Sequence, residues 1–264
     1  MNSTKVIMIT SCKGGVGKST VSANLGIRLA LDGWRTLIID CDFGVRSLDL
    51  IMGLEDEVIF DITDIILRNI EPQKACIQDK RSENLYFCSA PYSYNNELVA
   101  DEFSKAIKRI GQEMSLDYII IDTPGDTGSP FRLAAAAADS AIVVSTYQPA
   151  SIRAAERTGI LLEEEGVKTR KLIINCFNTE GQEYETQPGL LEVIDKTCIQ
   201  LLGIIPYDAP LSDKQSRGQD VFVAPLTNAS QAFANIAKRV SGRSIPLFSG
   251  FKKIKRQKLI NRIQ

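Results

Sequence analysis

Histidine is absent from all 264 residues, which removes the commonest general base and metal ligand. Any catalysis must therefore rest on carboxylates, lysines and a bound cation. The six cysteines, at 12, 41, 76, 88, 176 and 198, form no C-x-x-C pair. That argues against an iron–sulfur centre with paired cysteine ligands. Several of them fall in apolar runs, where a reduced thiol packs as a small hydrophobe. No uninterrupted apolar stretch approaches the ~18 residues of a membrane span. The first residues lack the charged, apolar and cleavable layout of a signal peptide, so a cytoplasmic location is expected.

Hydrophobic content of 44% and charged content of 24% are ordinary for a globular protein. The length allows one large α/β domain with a sizeable core, and no internal repeat argues for two. The formal net charge of −1 hides an asymmetry. Residues 251 to 264 contain six Lys or Arg and no acid, which leaves 25 basic against 32 acidic residues in the body. A body of −7 and a tail of +6 face different partners.

Residues 11 to 20 read Ser-Cys-Lys-Gly-Gly-Val-Gly-Lys-Ser-Thr. An apolar run at 5 to 10 precedes them as a short buried strand, and apolar residues at helical spacing follow over 21 to 31. A loop between a strand and a helix N-terminus is the setting a phosphate-binding loop requires, because backbone N–H groups and the helix dipole converge on one anion. Gly14, Gly15 and Gly17 let the backbone approach phosphates closely. Lys18 offers a point charge to the β- and γ-phosphates, and the Ser19 hydroxyl suits Mg²⁺. The usual pattern G-x-x-x-x-G-K-[ST] has glycine where this chain has Cys12, and a second lysine, Lys13, stands beside it.

The remaining pattern alternates strands and helices. Buried strands are expected at 37–40 and 117–122, each closing on an acid, Asp40 and Asp122. The second has the Walker B form, with a carboxylate beside the phosphate loop. Further strands are expected at 84–88, 140–145, 171–175 and 201–205. Helices are expected at 61–69, 97–114, 150–165, 189–196 and 228–240, with loops at 71–83, 89–96 and 178–187. Such alternation implies a mostly parallel sheet covered on both faces, with the ligand at the C-terminal ends of the strands.

The early-lysine motif K-G-G-V-G-K-S-T resembles the deviant Walker A loop of the MinD/ParA family of P-loop ATPases. The stretch from Asp40 to Glu55 resembles the MinD branch, D-x-D-x-G-x-R-x-L-D-L-x-x-G-L-E. The resemblance covers residues 5 to about 240 and implies an α/β P-loop NTPase domain over 1–240, hydrolysing ATP with Mg²⁺. It implies nucleotide contacts from Lys13, Gly14, Gly15, Val16, Gly17, Lys18, Ser19 and Thr20, with Lys13 crossing a homodimer interface to the partner's nucleotide. Asp42 is implied as the carboxylate that orients the attacking water; Ser19, Asp40 and Asp122 as the metal side. Asn175 and the pair Pro206-Tyr207 match residues that line the family's adenine pocket. Two departures stand out. The run Asp122-Thr-Pro-Gly-Asp-Thr-Gly has its glycine one place away from the MinD pattern D-S-P-A-G. Gln148 and Ala154 occupy positions where MinD proteins tend to carry acids.

Residues 241–250 are rich in glycine, serine and proline and read as a linker. The tail interleaves its charges with large apolar residues. MinD proteins end in a short amphipathic membrane-binding helix, and Phe251, Lys252, Lys253, Ile254, Leu259, Ile260 and Ile263 match it in place and composition. Its amphipathy is imperfect, since Phe251 and Ile254 point away from the other three apolar residues. A solvated terminus and a nucleic-acid-binding tail are the alternatives, and the interleaved aliphatics favour anionic lipid. The resemblance implies a peripheral protein on the cytoplasmic face of the membrane. It would place the division septum with partners of the MinC and MinE type; a regulator of another cargo and a barely hydrolysing scaffold are the rival readings.

Overall fold

The computed structural model describes residues 3–94, 97–177, 190–211, 227–247 and 249. The basic tail and the expected loop 178–187 lie outside the described residues. The strands are β1 Lys5–Thr10, β2 Thr36–Asp40, β3 Ile77–Gln78, β4 Leu85–Cys88, β5 Tyr118–Asp122, β6 Ser140–Ser145, β7 Thr169–Phe177 and β8 Gln200–Pro206. The helices are α1 Lys18–Leu31, α2 Leu48–Met52, α3 Ile62–Leu67, α4 Pro72–Ala75, α5 Ala100–Glu113, α6 Ser129–Ala137, α7 Pro149–Glu164, α8 Leu190–Thr197 and α9 Asn228–Val240.

The strands form one sheet in the order β3-β4-β2-β5-β1-β6-β7-β8. Every neighbouring pair is parallel except β3 with β4. β1 therefore sits inside the sheet, with β5 on one side and β6 on the other. Chain connections leave β1 in both directions, and a crevice opens at that point above the strands' C-terminal ends.

The unbroken apolar strands are explained by burial on both faces. On one face Phe103, Ile107 and Ile110 of α5, Phe131 of α6 and Ile152 of α7 cover β1, β2, β5 and β6. On the other, α1 and α9 meet over Ile7, Ile9, Ile120 and Ile142, with Phe233 and Ile236 at the centre. A second side of α1, Ala23, Ile27 and Ala30, packs with Leu48 and Met52 of α2 against Ile38 and Phe87. α1 is thus buried on two sides, which fits the apolar residues that run around it from Val21 to Leu31.

Four segments differ from the sequence reading. The stretch 71–83, expected as loop, contains α4, begun by Pro72, and the two-residue strand β3. Polar residues conceal β3 because it is an edge strand with one solvent-facing side. α6 was not anticipated; Pro130 in its first turn and a run of four alanines left little periodicity to read. The helix expected from 97 begins at Ala100. β7 runs on to Phe177, so Asn175 lies within a strand instead of after one.

Gly26 marks the tightest approach of α1 to the sheet: a Cβ there would lie 2.5 Å from Ile38 Cδ1 and 2.6 Å from its Cγ1. Both partners are core atoms with nowhere to move. Gly26→Val should lower unfolding stability by about 2–3 kcal/mol in urea titration, and adding Ile38→Ala should recover part of the loss. An unchanged midpoint for Gly26→Val would show that α1 shifts freely on the sheet.

Candidate nucleotide site

The loop from 11 to 17 leaves β1 and turns into α1 through Gly17, which is left-handed at φ 91°. Gly15 is left-handed as well, at φ 73°. α1 begins with no side-chain cap and no acid in its first turn, which leaves the positive end of its dipole available to an anion. Lys18 is only 8% exposed, so its ammonium is held at the loop and is not a free surface charge. Thr20 is buried in the same first turn, with Ser19 on the more open side.

Three distant elements brace this loop. From β7, Asn175 donates from Nδ2 to the Val16 carbonyl at 2.9 Å, and a Cβ on Gly17 would fall 2.3 Å from that same nitrogen. From α7, the Thr158 hydroxyl accepts the Cys12 N–H at 2.9 Å. From the segment after β5, Gly125 lies so close that a Cβ would sit 3.0 Å from both N and Cα of Gly14. The displaced glycine thus still meets the phosphate loop backbone to backbone. Asn175 is 6% exposed and its amide is engaged by the loop, whereas the Tyr207 ring is 59% exposed beyond Pro206, the last residue of β8. The Tyr207 N–H donates to the Phe177 carbonyl at 2.9 Å, which fixes the backbone there. Pro206 and Tyr207 therefore adjoin the end of the strand that carries Asn175.

The acids come from neighbouring strands. Asp40 and Asp122 stand opposite each other where β2 pairs with β5, and both are fully buried. Asp40 accepts the Asp42 N–H at 2.8 Å and the Leu48 N–H at 3.2 Å. Burial, then the charge of Asp122, drives the Asp40 carboxyl well above the usual carboxylate range. Asp122 accepts the Ser22 hydroxyl at 2.6 Å through Oδ1, while its buried Oδ2 has no hydrogen-bond partner. Its pKa is raised to about 6, chiefly by burial, against the pull of Ser19, Ser22 and Lys18. An orphaned carboxylate oxygen near a serine hydroxyl and a lysine is a place for a hard cation. Among the described residues no three acidic or thiol groups form a closed metal cage. That suits Mg²⁺, which keeps waters and takes its other ligands from phosphates.

Asp42 begins the loop before α2. Its carboxyl is raised by burial, lowered by Lys18 and raised by Asp126. The rest of the loop is stapled: Arg46, left-handed at φ 51°, makes a buried ion pair with Asp49 at 2.5 Å. The Arg46 guanidinium lies 3.7 Å from the centre of the Tyr92 ring, and the Gly44 N–H donates to Pro91 at 3.1 Å. The Ser47 hydroxyl lies 3.4 Å from that of Ser19, which ties the loop to the phosphate side. Lys13 reaches across to Gln148, its Nζ 3.3 Å from Oε1. Sequence reasoning missed Ser22, Ser47 and Thr158. Ser22 was the findable one, one helical turn after Lys18 and on the same helix face.

Two predictions follow from this geometry. The Asp122 carboxyl rises from an ordinary value of 3.8 to about 6, so its favourable contribution is complete below about pH 4 and is lost as pH rises through 6. Asp40 acts in the same direction. The metal-free chain should lose roughly 3 kcal/mol between pH 4 and 7 on account of Asp122, and Asp122→Asn should flatten that slope in denaturation curves. Asn175→Ala removes one neutral hydrogen bond from the loop, so nucleotide affinity should fall roughly fivefold, for about 1 kcal/mol, by isothermal calorimetry. Unchanged affinity would mean the loop holds its shape without β7.

A ParA family model, described as NUBPL iron-transfer P-loop NTPase, matches residues 2–241. The septum site-determining protein MinD of Bacillus subtilis is 36% identical over 92% of this chain and 91% of its own length. The MinD of Helicobacter pylori is 34% identical over 91% of each. Among solved structures, the MinC:MinD cell division protein complex of Aquifex aeolicus has a TM-score of 0.84. It is 34% identical and covers 92% of this chain and 98% of its own. The MinD of Pyrococcus horikoshii complexed with Mg-ADP has a TM-score of 0.78 at 25% identity, covering 90% and 96%. With the phosphate loop, its second lysine and the paired acids in place, the chain belongs to the MinD/ParA family of P-loop NTPases.

Proposed function

We propose that this chain is a MinD-type ATPase: it binds Mg-ATP, dimerises, attaches reversibly to the cytoplasmic face of the membrane and places the division septum. The observation that carries the reading is Lys13. It stands on the rim of a complete phosphate cradle and is held in its own chain by the neutral oxygen of Gln148. That amide has no net charge to pair with the ammonium, so the ammonium is available to a γ-phosphate on a facing chain.

Each residue then has a task. The loop N–H groups of 14 to 17 and Lys18 hold the phosphates in line. Ser19 and the free Oδ2 of Asp122, with Asp40 behind them, hold the metal and its waters. Bound there, Mg²⁺ would supply positive charge against the charge that develops on the transferred phosphate. Asp42, made more basic by its burial, accepts a hydrogen bond from the attacking water. The partner chain would complete the positive charge with its own second lysine, so turnover is slow in monomers and ATP times the assembly. Asn175 shapes the loop and, with Pro206 and Tyr207, borders the base.

The tail 251–264 supplies the membrane contact through Phe251, Ile254, Leu259, Ile260, Ile263 and its lysines, including Lys252 and Lys253. The segment before it is held to the core. Arg239 donates to the carbonyls of Leu202, Ile245 and Pro246, and Asn235 to that of Ser249. One tail binds weakly, and two on a dimer gain by avidity. A division inhibitor of the MinC type and a topological regulator of the MinE type are the proposed partners. Gln148 and Ala154, neutral where MinD proteins carry acids, favour a second reading in which the same cycle serves a different cargo.

Co-sedimentation with anionic vesicles should show pelleting in ATP and none in ADP, abolished when the chain ends at Gly250. Pelleting that ignores the nucleotide would overturn the switch. In phosphate-release assays with lipid, Lys13→Ala should cut turnover at least tenfold, for ~1.4 kcal/mol or more of lost transition-state stabilisation; full turnover would remove Lys13 from the chemistry.

A further inference from the structure

Two buried cysteines face each other at the β3 edge of the sheet, away from the nucleotide residues. Cys76 lies between α4 and β3, and Cys88 ends β4. The antiparallel ladder sets Ile77 opposite Phe87 and Gln78 opposite Tyr86, so its next step brings Cys76 opposite Cys88. The Asp79 N–H donates to the Leu85 carbonyl at 2.9 Å, which makes 79/85 a hydrogen-bonded pair. By alternation 77/87 is hydrogen-bonded and 76/88 is not. Non-hydrogen-bonded pairs are the close ones, with Cα atoms about 4.5 Å apart, inside the roughly 4.4–6.8 Å that a disulfide spans.

The side chains also point the same way. Cys76 and Cys88 belong to the core on the α3 and α5 face, with Ile39 and Ile65. Their neighbours Phe87 and Ile77 pack on the opposite face. Both thiols are free, and Cys88 Sγ lies 4.0 Å from the Ser89 carbonyl. Access is unequal. Cys76, 7% exposed, lines a groove of about 520 Å³ with Arg35, Gln73, Gln78, Tyr86 and Glu113, whereas Cys88 is 0% exposed. The neighbouring Cys76 thiol, together with burial, pushes the Cys88 thiol up.

We propose that Cys76 and Cys88 form a reversible oxidation site, entered by a hydroperoxide through the groove. The Cys76 sulfur breaks the O–O bond, taking one oxygen to become a sulfenic acid while the other leaves as water or an alcohol. The Cys88 sulfur then attacks Cys76, an S–S bond forms, and the sulfenic oxygen leaves as water with the thiol proton. Two thiols are oxidised by two electrons, and the peroxide is reduced by the same two. The new bond fastens α4 and β3 to β4. Beyond β4 the chain runs through Ser89, which accepts the Ile62 N–H at 3.0 Å, to Pro91 and Tyr92, which hold Gly44 and Arg46. Oxidation therefore stiffens the support of the loop that begins with Asp42.

The test treats the full reduced chain with hydrogen peroxide, alkylates it in denaturant and maps peptides by mass. The expected product is a linked 76/88 peptide lighter by two hydrogens, lost on adding dithiothreitol, while buried Cys41 alkylates fully. In Cys88→Ala, dimedone should label Cys76. Full alkylation of both cysteines while exposed Cys176 or Cys198 oxidises would overturn the proposal, and so would dimedone labelling of Cys88 in Cys76→Ser. Because the linked peptide is sought in the unsubstituted chain, a variant that fails to fold leaves the test standing.

Discussion

Two buried carboxylates stand side by side on adjacent strands, and much of the site follows from that. Asp40 and Asp122 are in register across β2 and β5 and fully buried. Like charges so placed repel strongly and resist ionisation. The chain answers with partial compensation: two backbone donors on Asp40, the Ser22 hydroxyl on Asp122, and Lys18 nearby. One oxygen of Asp122 is still left without a partner. A site balanced this way favours a cation, and a cation there favours phosphate. Stability of the chain without ligand is traded for affinity at the one place where a nucleotide must be sensed.

The same economy explains the position of the phosphate loop. Glycines allow its curve but do not enforce it, because they are equally at home in other conformations. Enforcement comes from β7 through Asn175, from α7 through Thr158 and from the segment after β5 through Gly125. Two of these lead towards surfaces: α7 towards Gln148 and Lys13, and Gly125 towards Asp126, whose charge acts on Asp42. The phosphate loop is thus joined to both surfaces by contacts of high sequence separation.

How far the sequence alone leads can be judged residue by residue. Strands β1, β2, β5 and β6 were legible because burial on both faces leaves an unbroken apolar run ending in a polar residue. The phosphate loop was legible because its glycines and lysines have no other common use at that spacing. α6 was not, since four alanines carry no helical stripe, and β3 was hidden by its solvent-facing edge. Lys18, Ser19 and Asp122 came together as read, whereas Ser22 and Ser47 escaped notice because a serine in a helix or loop is chemically unremarked until a carboxylate or hydroxyl lies against it. Asn175 carries a role the sequence did not suggest: a resemblance ties it to the base, and the fold adds a hydrogen bond to Val16 that no local pattern encodes.

The neutral partner of Lys13 bears on how such a machine is tuned. Where a relative places an acid at the position of Gln148, an ammonium–carboxylate pair would hold the second lysine against its own chain. The amide of Gln148 has no net charge, so it holds the ammonium less firmly than a carboxylate would. With Ala154 in place of a second acid, the same stretch of α7 presents Arg153 and Arg157 beside a shallow apolar groove bounded by Cys12 and Ile160. The second lysine is thus held by a neutral group, and Arg153 and Arg157 place positive charge on the surface beside it.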